Sequence, residues 1–235
     1  MGQLARRACP GVERLSRCPT GYAKINNDRR NKSTMEETVR SNLRVLTIGH
    51  SNHALEHFLD LLKKYSVEVV ADTRSYPYSN HSPHYDREFL KGALINAGLK
   101  YVDLGGELGG RPKNDEFYDS EGRVFYDKVA ATATFQEGLS RLEKGIKKYT
   151  VAILCSEENP AICHRKLLVG RILAAHGIMV DHIRGDGRIQ SDNDISASMR
   201  PTDGQTGLFA NAEASAWKSI PSVSRKKRPN NSLTS

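Results

Sequence analysis

The chain has 235 residues, 26% of them charged and 38% hydrophobic, with 35 Lys and Arg against 27 Asp and Glu; that length accommodates one domain of ordinary size plus tails. The net charge of +8 is unevenly spread: residues 1–43 hold nine basic and four acidic side chains (net +5), residues 191–235 six and four (net +2), and the stretch between them twenty and nineteen (net +1). A basic excess confined to the ends argues little for a folded nucleic-acid face, four cysteines are too few for a disulfide-built secreted domain, and no segment approaches the roughly 20 apolar residues of a membrane span, so a cytoplasmic protein without a membrane partner is expected.

Residues 1–43 read as a disordered basic tail, in which Cys9-Pro10-Gly11 and Cys18-Pro19 interrupt any amphipathic targeting helix, and Met35 offers an alternative start just ahead of the first strand. From Val45 short apolar runs alternate with helical periods. The first strand is Val45 to Ile48, after which Asn52 is placed to cap a helix striped by Leu55, Phe58, Leu59, Leu62 and Tyr65. The second is Val67 to Ala71, followed by a Pro-bearing loop and a helix capped by Asp86, with Phe89, Leu90, Ala93, Leu94 and Ala97 inward. Lys100 to Leu104 is the third strand. The polar stretch from Gly105 to about Thr132 is expected to be a lid or a disordered insertion. A helix with Phe135, Leu139, Leu142, Ile146 and Tyr149 on one side leads to a fourth strand, Val151 to Leu154, apolar on both faces and therefore central. Asn159 and Pro160 start one long last helix, and Ile178 to Ile183 is a fifth strand. This rhythm predicts an α/β fold: a three-layer, Rossmann-like, mostly parallel five-stranded sheet with helices on both faces, spanning residues 44–190, with 191–235 a low-complexity tail.

In such sheets ligands bind beyond the carboxyl ends of the strands. The residues expected there are His50; then Asp72, Arg74 and Ser79; then Glu107 within a glycine-rich turn; then Cys155, Glu157, Cys163, His164 and Arg165. Cys155, Cys163, His164 and His50 have the chemistry of thiol nucleophiles and proton carriers. Asp72, Arg74, Ser79, Glu107, Glu157 and Arg165 are expected to bind substrate. Arg165 falls on the apolar stripe of its helix and faces the sheet, so it needs a carboxylate such as Asp72 or Glu157, or an anionic ligand. Cys163, in the first turn of that helix, gains thiolate character from the dipole.

Several familiar sites fail on spacing. Six residues after Cys155 is Ala161 and six after Cys163 is Val169, where a cysteine phosphatase loop needs Arg. There is no Gly-Lys-Ser/Thr phosphate loop, and Gly105-Gly106-Glu107-Leu108-Gly109-Gly110 precedes Arg111-Pro112 rather than opening a helix. Zinc on Cys155, Cys163 and a histidine is conceivable but lacks the paired short spacings of structural sites, so neither a metal nor any other cofactor is assigned. A disulfide between the two cysteines is a further alternative.

Thr47-Ile48-Gly49-His50-Ser51, Asp72 to Ser79, Leu104 to Gly110, and Cys155-Ser156-Glu157 with Cys163-His164-Arg165 together resemble the domain-of-unknown-function 488 family of bacterial and archaeal proteins, from Leu46 to Ile189. The family usually has Val where Thr73 stands. The resemblance implies a compact α/β domain; the family has no assigned activity, so it implies no role for any residue. The residues themselves point first to an enzyme, a hydrolase or transferase acting on an anionic, phosphate-bearing nucleotide or nucleic-acid-related substrate. The alternatives are a non-catalytic nucleotide or nucleic-acid binding module and a thiol-based redox sensor. Oligomeric state is left open.

Overall fold

The computed structural model describes residues 43–79, 81–199 and 217–221; the expected N-terminal tail, Met35 and most of the expected C-terminal tail lie outside them. Six strands form one sheet: β1 (Arg44–Gly49), β2 (Val69–Asp72), β3 (Lys100–Asp103), β4 (Val151–Cys155), β5 (Met179–Ile183) and β6 (Ile189–Ser191). Their order is β3-β2-β4-β1-β5-β6. The first five pair in parallel and β6 runs antiparallel to β5. The expected α/β architecture is thus present with six strands instead of five. At three residues, β6 is too short to show alternation in the sequence.

Because side chains alternate along a strand, each strand feeds two cores. Leu46 and Ile48 of β1, Val70 of β2, and Ala152 and Leu154 of β4 pack with Phe58, Leu61 and Leu62 of α1 (Leu55–Lys64) and Leu90 and Leu94 of α2 (Arg87–Asn96). Val45, Val69, Ala71, Val151 and Ile153 point the other way. They meet α5 (Ala133–Ile146) and the helical segment that runs as a π-helix through Arg165–Gly170 and as α6 through Arg171–Ala175. All five residues of β4 are buried, as expected of a central strand. Each fully buried Leu or Phe in these layers contributes on the order of 1.5–3 kcal/mol.

Several local expectations are corrected. Ala54, not Asn52, precedes α1, and it makes no side-chain cap. Phe89 is 58% exposed rather than inward. The stretch from Gly105 to Thr132 is ordered: α3 (Gly105–Leu108), a 3-10 turn at Asp115–Phe117 and α4 (Tyr126–Ala130) bury Leu108, Val124, Tyr126 and Val129 in the core shared with α5. Those anchors recur at no fixed period, which hides them from a pattern search.

The domain edge expected at residue 190 also moves. β6 continues into α7 (Asp192–Ser198), capped by Ser191, with Ile195 buried. Residues 217–221 return to the domain: the Tyr126 amide donates to the Trp217 carbonyl (2.7 Å), the Ser219 amide to Val124 (2.8 Å), and the Trp217 indole to Leu167 (2.8 Å). No helix among the described residues is long and apolar enough to cross a membrane.

Candidate active site

Strand order decides where a ligand can enter. β2 leads to β3 through α2 on one face of the sheet, and β4 leads to β5 through the Arg165–Ala175 helix on the other. Since β2 and β4 are neighbours, their loops part above the sheet and leave a crevice at the switch point. A cleft of about 100 Å³ lies there, lined by Arg74, Ser75 and Tyr76 after β2, Gly110 and Arg111 after α3, and Cys155, Ser156, Glu157, Cys163 and His164 after β4.

The segment after β4 is not one helix. Asn159 accepts from the Ala161 amide and Pro160 begins a single 3-10 turn, after which Cys163 is extended (φ −113°, ψ 143°). Its carbonyl accepts from the Lys166 and Leu167 amides (3.1 and 2.9 Å), so helical winding restarts immediately behind the thiol. Cys163 therefore sits at a helix start, one element later than expected. The next residues wind as a π-helix, a local widening that often accompanies functional sites.

His164 turns Nδ1 of its ring toward the two sulfurs. Its Nε2 lies 3.0 Å from the Thr73 carbonyl, which can only accept, so the ring proton belongs on Nε2 and Nδ1 is left facing Cys155 Sγ (3.5 Å) and Cys163 Sγ (3.8 Å). Both cysteines are free and buried. The Cys155 thiol is held well below its ordinary pKa, chiefly by the hydrogen bond from Cys163; His164 and Arg165 add to this, and together they outweigh the opposing effect of burial. Burial, reinforced by the neighbouring Cys155, pushes the Cys163 thiol up.

Arg165 is fully buried, yet it meets neither Asp72 nor the Glu157 carboxylate. It donates to the backbone carbonyls of Glu157 and, at 2.6 Å, Glu158, and its Nε has no partner. It stands behind the cleft rather than lining it, and its charge acts on the thiols. Gly49 makes this possible, because a Cβ there would run into the Glu157 carbonyl and lie 2.7 Å from the Arg165 guanidinium.

Asp72 binds Arg74 in the two-pronged geometry suited to a guanidinium (2.9 and 2.7 Å) and also accepts from Tyr101 (2.8 Å). Arg74 further donates to the Tyr85 carbonyl (2.8 Å) and to His50 Nε2 (3.2 Å). Four of its five N–H groups are occupied among the described residues, which leaves one for the cleft.

His50, expected to carry protons, does not line the cleft. It is stacked on Tyr85 at 4.1 Å, with Nδ1 on the Ser51 carbonyl (2.8 Å) and Nε2 on Arg74. Burial, followed by the Arg74 charge, lowers its pKa from 6.5 to about 4, so near neutrality it is an uncharged support for Arg74.

Ser79 and Glu107 stand apart. Ser79 donates its amide to Asp86 and accepts from His81; Glu107 is paired with Arg141. What the glycine-rich turn contributes is Gly110, where a Cβ would come within 2.6 Å of two His164 atoms. The missed participants are Ser75 and Tyr76, which lie in the Asp72–Ser79 block but were not assigned to the site, and the Thr73 carbonyl, a backbone group that no residue type reveals.

Searches among curated proteins and solved structures gave no match. A family model described as "Domain of unknown function DUF488" matches residues 54–172, a span that omits the His50 block but includes the Arg74, glycine-turn and Cys155–Arg165 blocks. Covering 119 of the 235 residues, it places the chain in the DUF488 family.

Proposed function

We propose that the cleft is the active site of a thiol-dependent hydrolase or transferase for an anionic, phosphate-bearing substrate of the nucleotide class. The observation that carries the reading is Arg165: a guanidinium with 0% exposure, no carboxylate partner among the described residues, and two thiols beside it. A buried charge of this kind calls for an anion, and the Cys155 thiolate is the one within its reach.

The arrangement suits nucleophilic displacement. The Cys155 sulfur forms a bond to the electrophilic centre while the bond to the leaving group breaks. His164, having taken a thiol proton at Nδ1, returns it to the leaving group. Water or an acceptor then displaces the transferred group from sulfur, and His164 receives the proton again. In this reading the remaining N–H of Arg74, on the cleft wall, holds an anionic oxygen, and the positive charge of Arg111 beside it favours the anion. Small as it is, the cleft admits little more than a phosphate-sized group. It continues through Ser75, Tyr76 and Arg111 into a groove of about 520 Å³ that also includes Pro112 and Lys113, and there Tyr76, 65% exposed, offers a ring face to a base.

The test is alkylation by iodoacetamide, with the modified cysteine read by mass spectrometry. Cys155 is expected to react at neutral pH, ahead of Cys163, and to be protected by millimolar adenosine monophosphate. Turnover across a panel of nucleotide phosphoesters should vanish in Cys155→Ser. Equal labelling of both thiols only at alkaline pH, with no protection by an anion, would remove the basis for the proposal.

A further inference from the structure

Cys155, Cys163 and His164 present three donor atoms that all lie within 4.8 Å of one another. Their spacing carries information. A tetrahedral zinc ion with Zn–S bonds of about 2.3 Å and a Zn–N bond of about 2.0 Å holds sulfur and nitrogen ligands roughly 3.6 Å apart. The two sulfurs stand 3.5 and 3.8 Å from His164 Nδ1, so each already sits at ligand-to-ligand separation from the imidazole nitrogen.

The second layer is in place as well. Metal-binding imidazoles characteristically donate their far N–H to a carbonyl or carboxylate, which fixes the tautomer and aims the lone pair. His164 does this through Nε2 and Thr73, and Gly110 leaves the space its ring occupies, since a Cβ there would run into it. The three ligands come from a strand end and a helix start, both rigid, and all three residues line the cleft. Charge fits too: two thiolates neutralise a divalent ion.

We infer that this corner is a zinc site of the Cys2His type, with its fourth position open to the cleft. Resting on the reading of Cys155 as nucleophile, it carries a regulatory consequence: zinc and substrate compete for the same sulfur lone pair, so the loaded protein is silent as a thiol and the free protein is reactive.

The experiment uses the full chain with Cys9 and Cys18 replaced by serine, which removes the two other thiols of the sequence. Metal-free protein is titrated with Co2+ while thiolate charge-transfer absorption is followed, then with Zn2+ against a chromophoric chelator. Expected are one ion per chain, a tetrahedral Co2+ spectrum with thiolate bands, and suppression of iodoacetamide labelling at Cys155 by Zn2+. Removing a direct ligand should cost more than the 10–100-fold typical of outer-layer changes, so Cys163→Ser and His164→Gln should each weaken Zn2+ binding by more than about 100-fold, and Glu107→Gln not at all.

Absence of thiolate bands in the parent protein, with Cys155 still labelled at neutral pH, overturns the zinc site and leaves the thiol reading standing. Zn2+ binding undiminished in Cys163→Ser and His164→Gln overturns it as well, by locating the ion elsewhere. Binding without any protection of Cys155 overturns the competition. A Cys155 that neither labels at neutral pH nor binds metal ends both readings. The Co2+ spectrum of the parent keeps the test valid even if a variant fails to fold.

Discussion

Two buried histidines lie in polar networks on the same sheet, and only one of them, His164, lines the cleft. His182 is fully buried in mid-sheet, with Nδ1 on the Thr47 hydroxyl (2.7 Å) and Nε2 on the Asp192 carboxylate (3.1 Å). Lys166 joins them through Asp192 (2.8 Å) and Ser196 (2.9 Å). That network is closed: each charge has its opposite and each polar atom a partner, and its effect is to hold α7 against the sheet. His164 faces two sulfurs and an arginine without a carboxylate, beside a cleft. Adjacent residues divide the two regions, Lys166 serving the closed one and Arg165 the open one. Buried polarity by itself therefore does not mark a site; unbalanced charge next to an opening does.

Exchanging the two histidines tests this contrast most sharply. His164→Gln should lower turnover, and the neutral-pH alkylation rate of Cys155, by about 10²–10⁴-fold, the usual worth of a positioned acid–base group. His182→Gln should leave both rates unchanged while costing roughly 1–3 kcal/mol in denaturant unfolding, because polar partners are stranded. If the two variants behaved alike, the distinction between open and closed networks would fail.

The acid limb of stability comes next. His50 titrates near 6.5 when unfolded and at about 4 when folded, so folding favours its neutral form. Its contribution is complete above pH 6.5 and is lost as pH falls through about 4. The difference corresponds to about 3 kcal/mol. His50→Gln, which keeps an acceptor for Arg74, should flatten the dependence of unfolding free energy on pH between 6.5 and 4 by about that amount. An unchanged slope would mean that His50 is not held neutral.

Gly110→Ala should cost about 1–3 kcal/mol by overpacking and, by displacing the His164 ring, also slow Cys155 alkylation. Loss of stability without loss of thiol reactivity would separate the glycine turn from the site. The smallest effect is expected at Glu107, whose pair with the half-exposed Arg141 is worth about 0–1 kcal/mol. Glu107→Gln should alter neither stability beyond that nor reactivity.

The architecture was legible because burial imposes a period. β4 is apolar on both faces, α1 and α5 carry apolar stripes, and Asp86 stands ahead of α2 where a helix start was expected; these features are local in sequence, and the sheet follows from them. The segments that escaped notice do their work through isolated long-range anchors. Val124, Tyr126 and Trp217 each insert into a core built by other elements, as does Ile195, and none belongs to a run long enough to show alternation. The site was legible as a set of residue types at strand ends. Arg74, Cys155, Glu157, Cys163 and His164 do share the cleft, whereas Ser79 and Glu107 were drawn in only because they too follow strands.

The amino-acid sequence by itself determined the α/β class, the five parallel strands and the rim on which thiols, imidazole and guanidinium groups collect, because solvent exclusion writes those features as short-range periodicities. Only the tertiary structure decided which charged group meets which: Asp72 takes Arg74, His50 supports it, and Arg165 is left to two carbonyls and two thiols. Such pairings depend on distances between atoms that are remote along the chain, as do the opposite directions in which the Cys155 and Cys163 thiols are shifted.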